Sequence, residues 1–132
     1  IGEMTQFTGT TSGRSSVKIG NTELNTVAHQ FGEGREVSLT IRPEDIIPLG
    51  AKLETKKGAS NSTKNIFSTK LEEMEFLGSF WRCKLKADEF SEALVTADFS
   101  VNAVRRLSLE PNQNLWIEVP SESILAFNLQ AT

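Results

Sequence analysis

A charged corner at the end of a predicted strand holds the residues of this chain that come nearest to an acid–base site. The corner motif, Arg42–Asp45, places a guanidinium, a proline and two neighbouring carboxylates within four residues. Paired carboxylates can serve as general acid and base, and arginine can bind a carboxylate through two parallel hydrogen bonds. A second acidic pair stands at Glu72–Glu73. Because neighbouring strand residues point to opposite faces, solvated edge charges explain both pairs better than catalysis does.

Three further patterns resemble phosphate, nucleotide or metal sites but lack required residues. The stretch Gly9–Ser15 is one residue short between its glycines, has arginine where a P-loop has lysine, and leads into a predicted strand. Gly32–Gly34 lacks the third glycine of a dinucleotide-binding turn. His29 is the only histidine and Cys83 the only cysteine, so no zinc ligand set can be assembled. We therefore expect no catalytic residue, no metal and no cofactor in this chain.

The composition argues against nucleic acid as a partner. The 132 residues carry a net charge of -3, with 38% hydrophobic and 23% charged residues. A general nucleic-acid binder is expected to present a strongly basic face, and neither half of this chain is basic. The single cysteine cannot form an internal disulfide, which fits a reducing compartment. No apolar run is long enough to span a bilayer.

The alternation of apolar and polar residues predicts an all-β fold. A parity switch at Glu72–Glu73 predicts a β-bulge, and Gly20–Asn21 predicts a tight hairpin turn. Asp88–Ala93 fits a short helical turn, and Val101–Leu107 a bend. Further strands are predicted at Met4–Thr11, Ser16–Ile19, Thr22–Val27, Val37–Ile41, Phe67–Phe76, Trp81–Lys86 and Leu94–Phe99.

One arrangement of strand, proline corner and apolar return occurs twice, in Val37–Leu49 and in Leu115–Phe127. Placing Pro43 on Pro120 aligns the two copies, although the strand alternation before the prolines then slips by one residue. Such a repeat indicates two related β-modules in one chain. We predict the modules at 1–65, which includes a linker at about 50–65, and at 66–132.

The corner motif is followed by a hairpin motif, Glu75–Ser79, with the sequence E-F-L-G-S. In their order and spacing, the two motifs resemble the C-terminal TOBE (transport-associated OB) domain of ABC importer ATPase subunits, and the resemblance covers essentially the whole chain. The start at Ile1–Glu3 is similar to the exit from the ATPase domain, so the chain is expected to be a fragment of a longer one. The resemblance implies OB-type barrels attached to a cytoplasmic ATPase that lies on the inner face of the membrane.

The resemblance also implies an accessory or regulatory role without enzyme activity. The expected partners are the chain's own N-terminal ATPase domain, a homodimer partner and transmembrane permease subunits. ATP and Mg would bind to the ATPase domain, which would hydrolyse ATP, and no cofactor is expected in this fragment. The residues expected to make contacts are Arg42, Pro43, Glu44, Asp45, Glu75, Phe76, Leu77, Gly78 and Ser79.

These motifs also make sense as barrel architecture alone, which is the competing interpretation. Pro43 stops the strand and leaves Arg42 extended, where it could pair with a carboxylate across a domain boundary. Gly78 permits a tight turn, and Phe76 and Leu77 are expected to fill the barrel beside it.

Two alternative functions stay open. Some domains of this family bind an oxyanion, but Ala59–Asn65, the matching stretch here, lacks the family pattern, so a molybdate or tungstate site is disfavoured. A free-standing oxyanion-binding protein of the same fold is one alternative, and an OB-type binder of single-stranded nucleic acid is the other. The imported solute is expected to be of the polyamine, ferric-iron or phosphonate type.

Overall fold

Alternating apolar and polar residues form strands along most of the chain in the computed structural model, which describes residues 4–53, 65–91 and 93–129. The strands are β1 Thr5–Gly13, β2 Ser16–Ile19, β3 Thr22–Asn25, β4 Glu36–Ile41, β5 Ile47–Gly50, β6 Asn65–Phe76, β7 Phe80–Lys86, β8 Leu94–Ser100, β9 Asn114–Val119 and β10 Ile124–Asn128. A helix, α1, spans Val101–Leu107, and 3₁₀ turns span Pro43–Asp45, Asp88–Phe90 and Ser121–Ser123. The predicted all-β fold is confirmed.

Local signals in the sequence placed most of these elements correctly. The β2–β3 turn has Gly20 at a φ of 60°, and the ladder between β6 and β7 shifts register between Leu71 and Glu73, where the bulge is predicted. The predicted bend at Val101–Leu107 is wrong, because these residues form α1. The Ser100 hydroxyl accepts the N–H of Ala103 at 3.0 Å and so caps the first turn of the helix.

Two five-stranded antiparallel sheets make up the fold. The first has the order β10-β4-β1-β2-β3, and the second has the order β5-β9-β6-β7-β8. The connections β4–β5 and β9–β10 pass from one sheet to the other. Strand β10 therefore belongs to the first sheet, with β1–β4, and β5 belongs to the second sheet, with β6–β9. The division into modules 1–65 and 66–132 stays a prediction. Most of the predicted linker, residues 54–64, lies outside the described residues.

The two connections are related by a symmetric arrangement that differs from the sequence alignment. The buried β4 residues Val37, Leu39 and Ile41 correspond in order to buried β9 residues, namely Leu115, Ile117 and Val119. Each strand then ends in a 3₁₀ turn of three residues, so Pro120 takes the position of Arg42 rather than that of Pro43. The alignment of Pro43 on Pro120 is therefore wrong by one residue. Proline is accepted both before and inside a first helical turn, since neither position needs its N–H.

An aromatic contact joins the centres of the two sheets. Phe7 of β1 pairs with Leu39, and Phe67 of β6 pairs with Ile117, so the two phenylalanines hold equivalent positions. The buried ring of Phe90 meets Phe7 edge to face at a centroid distance of 5.0 Å and Phe67 at 5.3 Å. Edge-to-face pairs at these distances are favourable beyond the apolar area that they bury.

Polar side chains at the starts of β1 and β6 also bind across the sheets. Asn65 accepts the N–H of Asn25 at 2.8 Å, and its amide donates to the carbonyls of Asn25 at 2.8 Å and Val119 at 2.9 Å. At the equivalent position, the Thr5 hydroxyl accepts the N–H of Thr96 on β8 at 3.0 Å. Both side chains are buried, and their bonds satisfy the buried N–H of Thr96 and carbonyl of Val119 as well as the partly buried backbone of Asn25.

We predict that Asn65→Ala lowers the free energy of unfolding by about 2–4 kcal/mol, because it leaves the buried carbonyl of Val119 and the partly buried backbone groups of Asn25 without this partner. Urea unfolding of the purified domain measures the change. Asn114→Ala is the matched control, since Asn114 is exposed in the neighbouring strand β9, and it should shift stability by less than about 0.5 kcal/mol. Equal urea midpoints for the two variants would contradict the stabilising role of the Asn65 side chain.

Candidate interaction surfaces

The corner motif is a rigid turn that presents its charged side chains to solvent. Arg42 has extended φ and ψ values of -79° and 135°, and Pro43 begins the 3₁₀ turn. The N–H of Asp45 donates to the carbonyl of Arg42 at 3.1 Å, and Pro43 is buried where the turn packs against β8. Arg42 and Glu44 are exposed and Asp45 is half-buried. The predicted backbone geometry, in which Pro43 stops the strand and leaves Arg42 extended, is confirmed.

Within the described ranges, the side chains of Arg42, Glu44 and Asp45 form no ion pair or hydrogen bond. Arg82 shows the contrast, because its guanidinium binds both carboxylate oxygens of Asp98, at 2.8 and 2.9 Å. Among the described residues, the corner charges therefore do not pair with other carboxylates or cations of the domain. They are placed where a partner could pair with them.

The hairpin motif lies at the tip of β6 and β7. The Leu77 N–H donates to the carbonyl of Phe80 at 2.9 Å, and Gly78 turns the chain with a φ of +99°. Phe76 is 51% exposed and Leu77 40% exposed, so the expectation that they fill the barrel is wrong. The pairing of β6 with β9 ends at Lys70. Beyond Lys70, β6 pairs only with β7 among the described strands, so no third strand lies beside the hairpin tip. The Phe76 ring instead packs 5.2 Å from that of Trp81.

The two motifs form separate surfaces. Thr5 pairs with Ile41 beside the corner motif and binds Thr96, which pairs with Lys84 on β7. The hairpin tip begins at Phe80, which lies four residues from Lys84 along β7. This corresponds to about 13 Å at the usual strand rise. Any joint action of the two motifs would therefore need a partner that spans both.

Arg42 also lines a groove of 590 Å³ that runs along β10. Its other walls come from residues of β1, β4 and β10 and from the residues that flank β1 and β10, namely Met4, Gln6, Ser38, Thr40, Leu125, Phe127, Asn128 and Leu129. The groove is not predictable from composition, because apolar residues such as those of Leu125–Phe127 are typical of a core. The register of Leu125 with Thr40 and of Phe127 with Ser38 puts these side chains on the face away from the core.

A second cavity, of 460 Å³, opens between the β2–β3 turn and the Asp88–Phe90 turn. Asp88 and Glu89 line it together with the rings of Phe7 and Phe90, and none of its described lining residues is a cation. Two carboxylates without a compensating charge disfavour an anion in this cavity.

The other sequence candidates do not assemble into a site. The Nδ1 atom of His29 accepts the N–H of Phe31 at 3.3 Å, and no three metal-ligating side chains gather within the ranges the structure describes. Burial raises the pKa of the Cys83 thiol to about 12, so the thiol stays protonated at neutral pH. Nor is any helix of the described chain long and apolar enough to cross a bilayer.

No model of a known protein family matches the chain. The Fe(3+) ions import ATP-binding protein FbpC 2 of Rhizobium meliloti (strain 1021) is 41% identical over 129 residues, which cover 96% of this chain and 33% of that protein. The chain is homologous to part of an ABC importer ATP-binding protein. It spans about a third of the length of this relative. The resemblance seen in the corner and hairpin motifs is thereby confirmed.

The same fold is found in a solved structure of a protein with a different name. The cytoplasmic molybdate-binding protein ModG, solved with molybdate bound, matches with a TM-score of 0.74 over 95% of this chain and 96% of that chain. Its sequence is 16% identical, so the likeness concerns the fold alone. The predicted OB-like fold class is confirmed.

We predict that Gly78→Val lowers the free energy of unfolding by about 1–3 kcal/mol, because a β-branched residue is strained at a φ of +99°. Nothing lies within 4 Å of the added Cβ, so backbone strain alone causes the loss. A thermal melt measures it. Gly32→Val, where space is equally open and no positive φ is found, is the control, and equal melting temperatures would contradict the turn assignment.

Proposed function

We propose that this TOBE domain is the accessory and regulatory part of an importer's ATP-binding subunit and that its corner motif makes contacts between domains or subunits. The observation that carries the proposal is the alignment, over nearly all of the chain, with a protein named for Fe(3+) ion import and ATP binding. ATP and Mg would be bound and ATP hydrolysed by the remaining part of such a subunit. The domain itself would contribute no catalytic residue.

The finer assignments rest on the same relative. Ferric iron is the imported solute that the relative's name supports, ahead of polyamines and phosphonates. The subunit would work in the cytoplasm, on the inner face of the membrane, as a homodimer beneath its permease. The domain's partners would then be its own ATPase domain, the second subunit and the permease.

The corner motif is suited to this role by its energetics. An exposed ion pair contributes only about 0–1 kcal/mol to a fold, whereas losing one partner of a desolvated charge pair at an interface costs about 2–5 kcal/mol. Arg42 and Glu44 are exposed on a turn anchored by buried Pro43. Their charges therefore matter little to the domain's stability and can matter much to a docked partner.

We expect Arg42→Ala, and separately Glu44→Ala, to lower solute uptake by the complete transporter or dimerisation of the full-length subunit. The melting temperature of the isolated domain should hardly change. Arg14→Ala is a matched control, because Arg14 is also exposed but lies in the β1–β2 turn. A large drop in the domain's melting temperature with normal transport would show that the corner residues only stabilise the barrel. Equal effects of Arg14→Ala and Arg42→Ala on uptake or dimerisation would show that the corner motif is not a specific contact.

Oxyanion binding is the second candidate, favoured by the likeness in fold to a molybdate-bound protein. Two observations oppose it. Both N–H groups of the Asn65 side-chain amide already donate to backbone carbonyls, so this side chain has no N–H left for an anion. Residues 59–64 lie outside the described part of the chain. The cavity beside Phe90 is lined by carboxylates.

We therefore predict that isothermal titration of the domain with millimolar molybdate gives no saturable heat. Sulfate is the control for weak binding of any divalent anion. Saturable heat with molybdate and none with sulfate would favour the oxyanion-binding function over the regulatory one.

A further inference from the structure

The cavity between the β2–β3 turn and the Asp88–Phe90 turn has an apolar inner wall and a charged mouth. Ile19 and Phe90 line it and are each only 5% exposed, and the half-buried ring of Phe7 lies against Phe90. Asp88, in contrast, is exposed and Glu89 is half-buried, which puts the carboxylates toward the mouth. With 460 Å³, the cavity falls within the range of small-molecule sites, about 300–1,000 Å³.

The two carboxylates at the mouth have no countercharge. Within the described ranges, the side chains of Asp88 and Glu89 form no hydrogen bond or ion pair. The lysines of the adjoining strands, Lys18 in β2 and Lys86 in β7, are not among the residues that line the cavity. Since Asp88 and Glu89 are adjacent in one short turn, their like charges repel each other. A cation bound at the mouth would relieve this repulsion.

The apolar inner wall decides which kind of cation fits. Divalent metal ions such as Ca²⁺ need several oxygen ligands at once, and no three metal-ligating side chains gather among the residues that the structure describes. Buried apolar side chains give a hydrated metal ion no ligand. They can instead bury the carbon atoms of an organic ammonium ion, and aromatic rings also attract its positive charge.

We propose that this cavity binds a small organic ammonium ion, with the apolar body against Ile19, Phe7 and Phe90 and the ammonium group at Asp88 and Glu89. Further N–H groups of the ligand can be accepted by side-chain oxygens of other polar residues at the mouth, such as Thr8 and Asn21, which are exposed. The inference goes beyond the proposed function and does not depend on it, because it rests on the lining residues alone.

The test titrates the 132-residue chain with n-hexylammonium in an isothermal calorimeter. We expect saturable binding with a Kd of about 1 mM or tighter. Hexanoate has the same apolar chain with a negative head group and should give no saturable heat. Methylammonium has the charge without the apolar body and should bind at least severalfold more weakly. Because the ligand binds the folded chain, saturating n-hexylammonium should also raise the melting temperature.

Two variants locate the binding in the cavity. Asp88→Asn and Glu89→Gln each remove one charge while keeping the shape of the side chain, and each should raise the Kd for n-hexylammonium severalfold. Glu110→Gln is the matched control, because Glu110 is exposed, lies outside the cavity and loses the same charge. It should leave the Kd nearly unchanged. Thermal melts of the three variants show that each is folded.

Four results would overturn the proposal. The first is no saturable heat with n-hexylammonium, and the second is hexanoate binding as tightly, which would show that the charge is not recognised. The third is methylammonium binding as tightly, which would show that the apolar wall takes no part. The fourth is an equal change of Kd in Glu110→Gln and in both cavity variants, which would place the binding elsewhere.

Discussion

The contact of Phe90 with Phe7 and Phe67 is the interaction on which the arrangement of the two sheets depends. Phe7 and Phe67 occupy equivalent positions in β1 and β6, and a single ring fills the space between them. An aromatic ring is large and rigid, so it fixes both the distance and the angle of what it separates. The sheets therefore pack as one body around a centre that the Asp88–Phe90 turn supplies.

That fixed packing is what makes the corner motif usable as a contact surface. The Pro43–Asp45 turn ends a strand of the first sheet and packs on β8 of the second. Its position thus depends on both sheets at once, and Arg42 cannot shift without disturbing one of them. The backbone of Arg42 is thus held before a partner binds, so binding has to order its exposed side chain but not the turn that carries it.

Local patterns in the sequence predicted the strands, the Gly20 turn and the bulge near Glu73, because each depends on neighbouring residues. Features set by the relative lengths and registers of strands were not predictable in this way. Phe76 is exposed because β9 is shorter than β6, and the groove around Phe127 follows from the register of β10 on β4. The cap at Ser100 is a signal that could have revealed α1.

The exchange of strands between the sheets has a consequence for how the chain folds as it is synthesised. Ile41 of β4 cannot pair with Ile124 of β10 until about eighty further residues have been synthesised. At cellular rates of synthesis the edge of β4 stays unpaired on the order of ten seconds, a period in which an open strand edge can pair with another nascent chain. Chaperones that cover such strand edges would therefore raise the yield of the folded domain.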